Sequence, residues 1–493
     1  MNKLNLLKLF SDSENFESLI NDLNTKGERD NFYLKNLNGS QKALLSAHTI
    51  KNTKSTHLFI LQNLEEALYF LDDLNNIIPE HTSHLFPSSE RIKIGDKNIL
   101  LEQIEVLNKL SKNKYNTIIS YPKAIKEKII TKSDFKKNQI RLSVGDEINQ
   151  EDLIEKFHNL SFNNNNIVVE PGDFSIRGFI IDIFSYGNEY PYRIVFDNNT
   201  IEEINYFKVS DQMSIDSLQE IDIISNIQDE AESFSTTDLF SYLPKQTIIW
   251  INNSNFLFDN QENIGLGKLR QTIQNHQCLY TGPTDNSHYN KTIVFQSSPQ
   301  PTFNKNFEIL ISHLDEYRNE GYQNIITVSS ENQMKRLQNI FKNYLHLVNL
   351  INCENSLKEG FIDRSNKIIL YTDHQIFERH HQYKSKRIYK TENTLSIKEL
   401  TDFKKGDYVA HFDYGIGMFD GLRIKTSNNK KQESIRIIYK NNDVLYISVH
   451  SLHKISKYKE TSEELTLDKL GSPRWKKLKE KVKGKVKKIA FDL

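Results

Sequence analysis

At 493 residues the chain is larger than one hydrophobic core organises, and roughly three to five domains are expected. Its 64 Lys and Arg balance 64 Asp and Glu, so no global charge draws it to nucleic acid or a membrane, and any such contact must come from a local patch. An apolar fraction of 37% that includes 28 Phe and 22 Tyr is enough to build packed cores and excludes a disordered chain.

Two distant cysteines, Cys278 and Cys353, fit neither a disulfide scaffold nor a four-ligand zinc site. The opening Met1 to Phe10 is interrupted by Lys8 and lacks the apolar core of a signal peptide, and no 18 apolar residues run together. These features read as a cytoplasmic chain with no membrane span.

In chain order, residues 1 to about 125 alternate helical stretches, such as Leu64 to Leu74, with short apolar runs, such as His57 to Leu61 and Thr117 to Tyr121. This pattern predicts an open α/β sheet. A helix is expected over Glu151 to Leu160. Dense strand signals follow at Ile167 to Val169, Phe179 to Phe184, Tyr192 to Phe196 and Ile201 to Phe207, with Asp197-Asn198-Asn199 as a hairpin turn, and predict a small β-rich module. The apolar run Thr247 to Ile251 is the next strand. A further α/β unit is expected over 305 to 380, with strands at Asn324 to Val328 and Lys367 to Tyr371 and helices at Phe307 to Arg318 and Glu331 to Tyr344. Residues 384 to 396 read as a linker. Beyond 400, Ser434 to Tyr439 and Val444 to Val449 alternate as half-buried strands around the turn Asn441-Asn442-Asp443, and predict a small barrel. The stretch from Arg474 to the end is helical by period, with nine Lys or Arg.

An α/β chain invites a search for nucleotide chemistry, which needs a glycine-rich loop followed by Lys and Ser or Thr. None is complete. Gly39-Ser40-Gln41-Lys42-Ala43 lacks the first glycine and the final hydroxyl, and Gly265-Leu266-Gly267-Lys268-Leu269 has Leu where the magnesium-binding hydroxyl belongs. Both read as structural turns, and the acidic Asp229-Glu230-Ala231-Glu232 as a loop. Asp373, His374, Glu378, His380 and His381 have near-helical spacing, but Arg379 sits among them and no metal is expected. No nucleophile elbow is present. The basic run with Trp475 could follow a phosphate backbone, although charged helices are more often simply solvated.

Two long stretches carry a family resemblance. Glu170-Pro171-Gly172-Asp173-Phe174-Ser175-Ile176-Arg177-Gly178-Phe179-Ile180-Ile181-Asp182-Ile183-Phe184 resembles the module shared by UvrB and the bacterial transcription-repair coupling factors, the Mfd family. Gly406 to His411, Gly415-Ile416-Gly417 and Leu445 to Tyr458 resemble the polymerase-interacting domain of the coupling factors, which is related to CarD and which UvrB lacks. Their order selects the coupling factors. The resemblance implies a multidomain α/β architecture: a UvrB-like, degenerate P-loop-type α/β domain at 1–128 and 212–300, an inserted UvrA-binding module at 129–211 and a variable α/β domain at 305–383. A linker at 384–397, a Tudor- or SH3-like barrel at 398–461 and the start of a basic relay helix at 462–493 would follow. It further implies that the chain is the N-terminal part of a DNA translocase whose motor, with its ATP and magnesium, lies beyond Leu493, so that this part is non-catalytic and needs no cofactor.

By the same resemblance Arg177, Arg193 and Phe196 are UvrA-binding, with Asp197 standing where the family has a second aromatic. Leu445, with Val444 and Tyr446, is the contact to the RNA polymerase β subunit, and Ser448 replaces a usual Pro. Arg474, Lys476, Lys477 and Lys479 are candidates for contacting double-stranded DNA. Two rival readings are a UvrB-like DNA-dependent ATPase and a DNA-binding protein acting through the basic helix.

Overall fold

The computed structural model describes residues 6–10, 13–25, 30–89, 97–112, 115–210, 212–226, 234–257, 266–284, 288–303, 306–328, 330–352, 357–379, 405–411, 414–427, 430–448, 455–457 and 469–470. The chain divides into two compact units, one of residues 1–136 with 230–387 and the other of 137–229 with 388–493. The linker, the acidic tetrad, His380, His381, Cys353, Gly265 and the basic run with Arg474, Lys476, Lys477 and Lys479 lie outside the described residues.

The first unit is built on a seven-stranded parallel sheet in the order Lys291–Val294, Phe32–Lys35, Gln277–Thr281, Thr247–Asn252, Thr56–Ile60, Thr117–Ser120, Ser83–Leu85. Its central strands are buried along their length, as the uninterrupted apolar runs His57 to Leu61 and Thr247 to Ile251 require of strands covered on both faces. Helices Gln41–Asn52 and Leu64–Ile77 cross between strands, the second capped by Asn63, whose side chain accepts from the Glu66 amide. A second, five-stranded sheet runs Ser297–Pro299, Phe361–Asp363, Ile368–Thr372, Gln323–Val328, Asn349–Asn352. Helix Glu331–Ile340 is shorter than the expected 331–344, because the chain turns at Phe341. Because Ser297–Pro299 pairs with Phe361–Asp363, the second α/β domain begins before the expected residue 305.

In the second unit a six-stranded sheet carries the order Ser214–Leu218, Thr200–Phe207, Tyr192–Asp197, Ile180–Ile183, Asp173–Arg177, Asn163–Asn164. Helix Gln150–Asn159 packs Leu153 and Phe157 into the core formed by Phe174, Ile181, Ile183 and Ile194. The expected end of this module at 211 is too early. Ser214–Leu218 extends its sheet, and Glu220–Ile224 pairs antiparallel with Gln139–Ser143, so residues 212 to 224 belong to the module. Ile167 to Val169 form no strand, contrary to expectation, because their side chains are divided between two cores.

The remaining sheet of this unit is antiparallel, in the order Val444–Ser448, Lys430–Ile438, Gly415–Ser427, Tyr408–His411, Ile455–Lys457. Five strands of this sheet are described, with Val444–Ser448 first and Ile455–Lys457 last in the order; among the described residues no ladder joins these two, and the sheet is open in that sense alone.

Candidate partner-binding sites

Strand periodicity decides what the module can show to a partner. Ser175, Asp182, Arg193, Asn205 and Ser217 are successive cross-strand partners and form one polar row on the sheet face opposite the core. Asp182 is fully buried, and a buried carboxylate must be paired to be tolerated. Arg193 grips it with two parallel bonds, Nε to Oδ1 at 2.8 Å and Nη2 to Oδ2 at 2.9 Å, and Arg177 donates to Oδ2 through Nη2. Two guanidinium groups on one carboxylate leave a net positive charge facing outward.

The two arginines are not equivalent. Arg177 keeps 48% of its side-chain surface, whereas Arg193 keeps 16%. Arg193 also donates from Nη1 to the Gln212 carbonyl at 3.0 Å and lies 4.6 Å over the Phe207 ring. It braces the sheet, and Arg177 is the group left accessible. Phe196 does not join them. It is 3% exposed and sits in the module core beside Ile194 and Ile201, because residues 193 and 196 of one strand face opposite ways. The expectation that Phe196 belongs to this surface is therefore corrected. Asp197 is exposed at the hairpin turn, where Asn198 takes a φ of +54°. Two residues were missed in the sequence: Asp182, which organises both arginines, and Phe179, 64% exposed at the tip of the neighbouring hairpin beside Gly178. The polar break in Ile180-Ile181-Asp182-Ile183 was the available signal for the first.

On the open sheet, the three successive apolar residues of the edge strand separate. Leu445 pairs with Ile437 and is half-buried against the sheet core, Val444 is half-buried, and Tyr446 is 43% exposed beside its cross-strand neighbour Arg436. Tyr446 is the outward-facing member. Arg436 donates to Asp420 Oδ2 at 2.9 Å and Lys405 to Oδ1 at 2.9 Å. The Lys405 hydrogen bond, aided by the charges of Lys405 and Arg436, holds the Asp420 carboxyl below the usual range. A strand at the end of the described sheet order with a projecting aromatic is a geometry that suits strand-to-strand docking of a protein partner.

The glycine turn at Gly39 to Lys42 packs against a distant part of the chain. Gly39 follows a strand and precedes a helix, the position from which a phosphate would be held. Here the backbone of Lys358 to Gly360 lies directly against that turn. The Ser40 amide donates to the Glu359 carbonyl at 3.0 Å, and the Glu359 amide donates back to Ser40 Oγ at 3.0 Å. Ser40 Oγ donates to Asp73 at 2.6 Å, and Asp73 also accepts from the Lys358 amide at 2.7 Å. Lys42, whose burial pulls its pKa down, borders a cavity of about 20 Å³ with Phe59, Phe70 and Trp250, enough for roughly one water. His374 Nε2 lies 2.7 Å from the Lys358 carbonyl and so serves this junction, while Asp373 accepts from Arg379 at 2.9 Å.

Comparison with known proteins agrees with these divisions. Residues 140–228 match the UvrB interaction domain, and residues 403–459 match the CarD-like/TRCF RID domain. The first match covers Ser214–Leu218, which extends the six-stranded sheet, and Glu220–Ile224, which pairs with Gln139–Ser143. Over 96% of its length the chain is 24% identical to the transcription-repair-coupling factor of Staphylococcus aureus (strain USA300), covering 49% of that protein. Over 94% it is 23% identical to that of Staphylococcus haemolyticus (strain JCSC1435), covering 48%. The chain thus spans about half the length of the curated relatives it matches.

Proposed function

We propose, from the likeness to transcription-repair-coupling factors, that this chain is an adaptor which holds RNA polymerase through its CarD-like sheet and recruits UvrA through its UvrB-type module. The observation that carries the reading is the presence of two separate presented surfaces in this order: the Asp182-centred arginine face and the Tyr446 edge strand. Arg177 offers a half-exposed guanidinium to an acidic group on UvrA, while Arg193 fixes the carboxylate beneath it. The edge strand Val444–Ser448 offers its backbone to a strand of the polymerase β subunit, with Tyr446 as the side-chain anchor and Leu445 supporting it from the core side.

The adaptor part needs no cofactor in this reading. ATP, magnesium and the main contacts to duplex DNA belong to the motor of the whole protein. Contact through the basic run with Arg474, Lys476, Lys477 and Lys479 would add a salt-sensitive phosphate term. Capture of UvrA by the immobilised chain tests the module directly. Arg177→Ala should weaken capture by roughly tenfold or more, as expected for a charged interface anchor. Equal capture by wild type and Arg177→Ala would remove the arginine face from the account.

A further inference from the structure

Residues 167 to 169 run between two strands of the module without joining either sheet, and their side chains alternate in direction. Val168 is buried against Phe184 and Phe207 of the module. Val169, 6% exposed, and Ile167 pack instead into the core of the open sheet with Val409, Ile437 and Tyr439. Leu445 of the edge strand belongs to that same cluster, and Val209 touches both cores.

Hydrogen bonds tie this segment to the arginine face. The Asp173 carboxylate accepts from the amides of Val169 at 3.2 Å and Glu170 at 2.9 Å. Gln212 Nε2 donates to the Val209 carbonyl at 2.9 Å and to that of Val168 at 3.5 Å, and the Gln212 carbonyl accepts from Arg193. We infer that the module and the open sheet share one core through residues 167 to 169 and Val209, and that filling the sheet edge is thereby coupled to the arginine face. The coupling half rests on the partner assignment above. The shared core does not.

Packed cores switch between discrete arrangements rather than deforming smoothly, so a partner that shifts Leu445 biases how Val169 and Val209 seat. The carbonyls of Val209 and of Val168, the residue next to Val169, accept from Gln212 Nε2, and the Gln212 carbonyl in turn accepts from Arg193, which grips Asp182. Linkage makes the effect reciprocal: whatever polymerase does to UvrA affinity, UvrA does to polymerase affinity by the same factor.

Hydrogen exchange on the full chain, wild type beside Val169→Thr and Val168→Thr, tests the shared core. Threonine keeps the shape and adds a buried hydroxyl. Val169→Thr should speed amide exchange in Ser434 to Ile438 on the order of tenfold, while Val168→Thr should leave that strand at the wild-type rate and loosen Phe184 and Phe207. Unchanged exchange in Ser434 to Ile438 in Val169→Thr would overturn the proposal. Val209→Ala reads the same strand should Val169→Thr fail to fold. UvrA affinity with and without saturating RNA polymerase core then tests the coupling. A ratio that departs from one in wild type and returns toward one in Val169→Thr supports it, and a wild-type ratio of one refutes it. A wild type that binds neither partner counts against the partner assignment, and the exchange result still decides the shared core.

Discussion

Asp182 shows how one side chain sets the character of a surface. Its carboxylate has no exposed area and two guanidinium partners, so removing it leaves the mostly buried Arg193 without its carboxylate counter-charge. Asp182→Ala should cost about 3 kcal/mol in urea unfolding, in the range for breaking a buried pair. Arg177→Ala should cost less than about 1 kcal/mol, because half of that side chain is in solvent. Similar losses for the two variants would contradict the division into brace and contact. The arginines were legible in the sequence because they stand in a long motif. That Phe196 turns away from them was legible too, since three residues along a strand reverse the face, but the resemblance drew attention to the motif and not to the parity. Asp182 was read only as part of an apolar strand, and its importance comes from two partners that its own strand does not contain.

At the scale of single elements, Gly39 explains why the loop before helix Gln41–Asn52 is conformationally specific. Its φ is +51°, and an added Cβ would lie 2.6 Å from the Gly360 carbonyl oxygen. Gly39→Ala should therefore destabilise by about 1 to 3 kcal/mol, measured by urea or thermal unfolding, with the second α/β domain the first to loosen. With an incomplete glycine motif whose turn is packed against Lys358 to Gly360, the purified chain should show no magnesium-dependent ATP turnover, and clear turnover would revive the ATPase reading. The incomplete glycine motif was visible in the sequence. The segment packed against its turn, more than 300 positions away, was not.

His57 belongs to the neighbouring strand and is wholly buried, and burial pulls its pKa down from 6.5 to about 3. Nδ1 accepts from Trp250 Nε1 at 3.2 Å, and Nε2 lies 2.9 Å from Thr53 Oγ1, whose proton goes to the Thr49 carbonyl, so the neutral ring carries its hydrogen on Nε2. Below pH 6.5 the unfolded chain takes up a proton that the folded chain refuses. Stability should fall as pH drops from 6.5 toward 3, by at most about 1.4 kcal/mol per pH unit from this group. His57→Asn should flatten that part of the stability profile relative to wild type, and an unchanged slope would show that other groups dominate. In the edge strand, Leu445→Arg would place a charge against the sheet core as well as at the edge. Tyr446→Lys changes the outward face alone, and should reduce polymerase binding with an unfolding midpoint near that of wild type.

For the whole molecule, the segments were easier to read than their partners. Apolar runs and turn residues marked Tyr192–Asp197, Gln323–Val328 and the hairpin at Asp197 to Thr200 closely, because each signal is local. The divisions at 211 and 300 were missed because Ser214–Leu218, Glu220–Ile224 and Ser297–Pro299 are assigned by long-range ladders that no local pattern announces. The described residues contain no helix long and apolar enough to cross a membrane. The central claim is that one chain bridges two partners through two distinct surfaces. The measurement that tests it most directly is co-elution of RNA polymerase core and UvrA on a sizing column, with and without this chain. The account predicts a joint peak only when the chain is present, loss of UvrA alone with Arg177→Ala, and loss of polymerase with Tyr446→Lys. Joint elution that survives both substitutions, or no joint peak with the wild type, would contradict it.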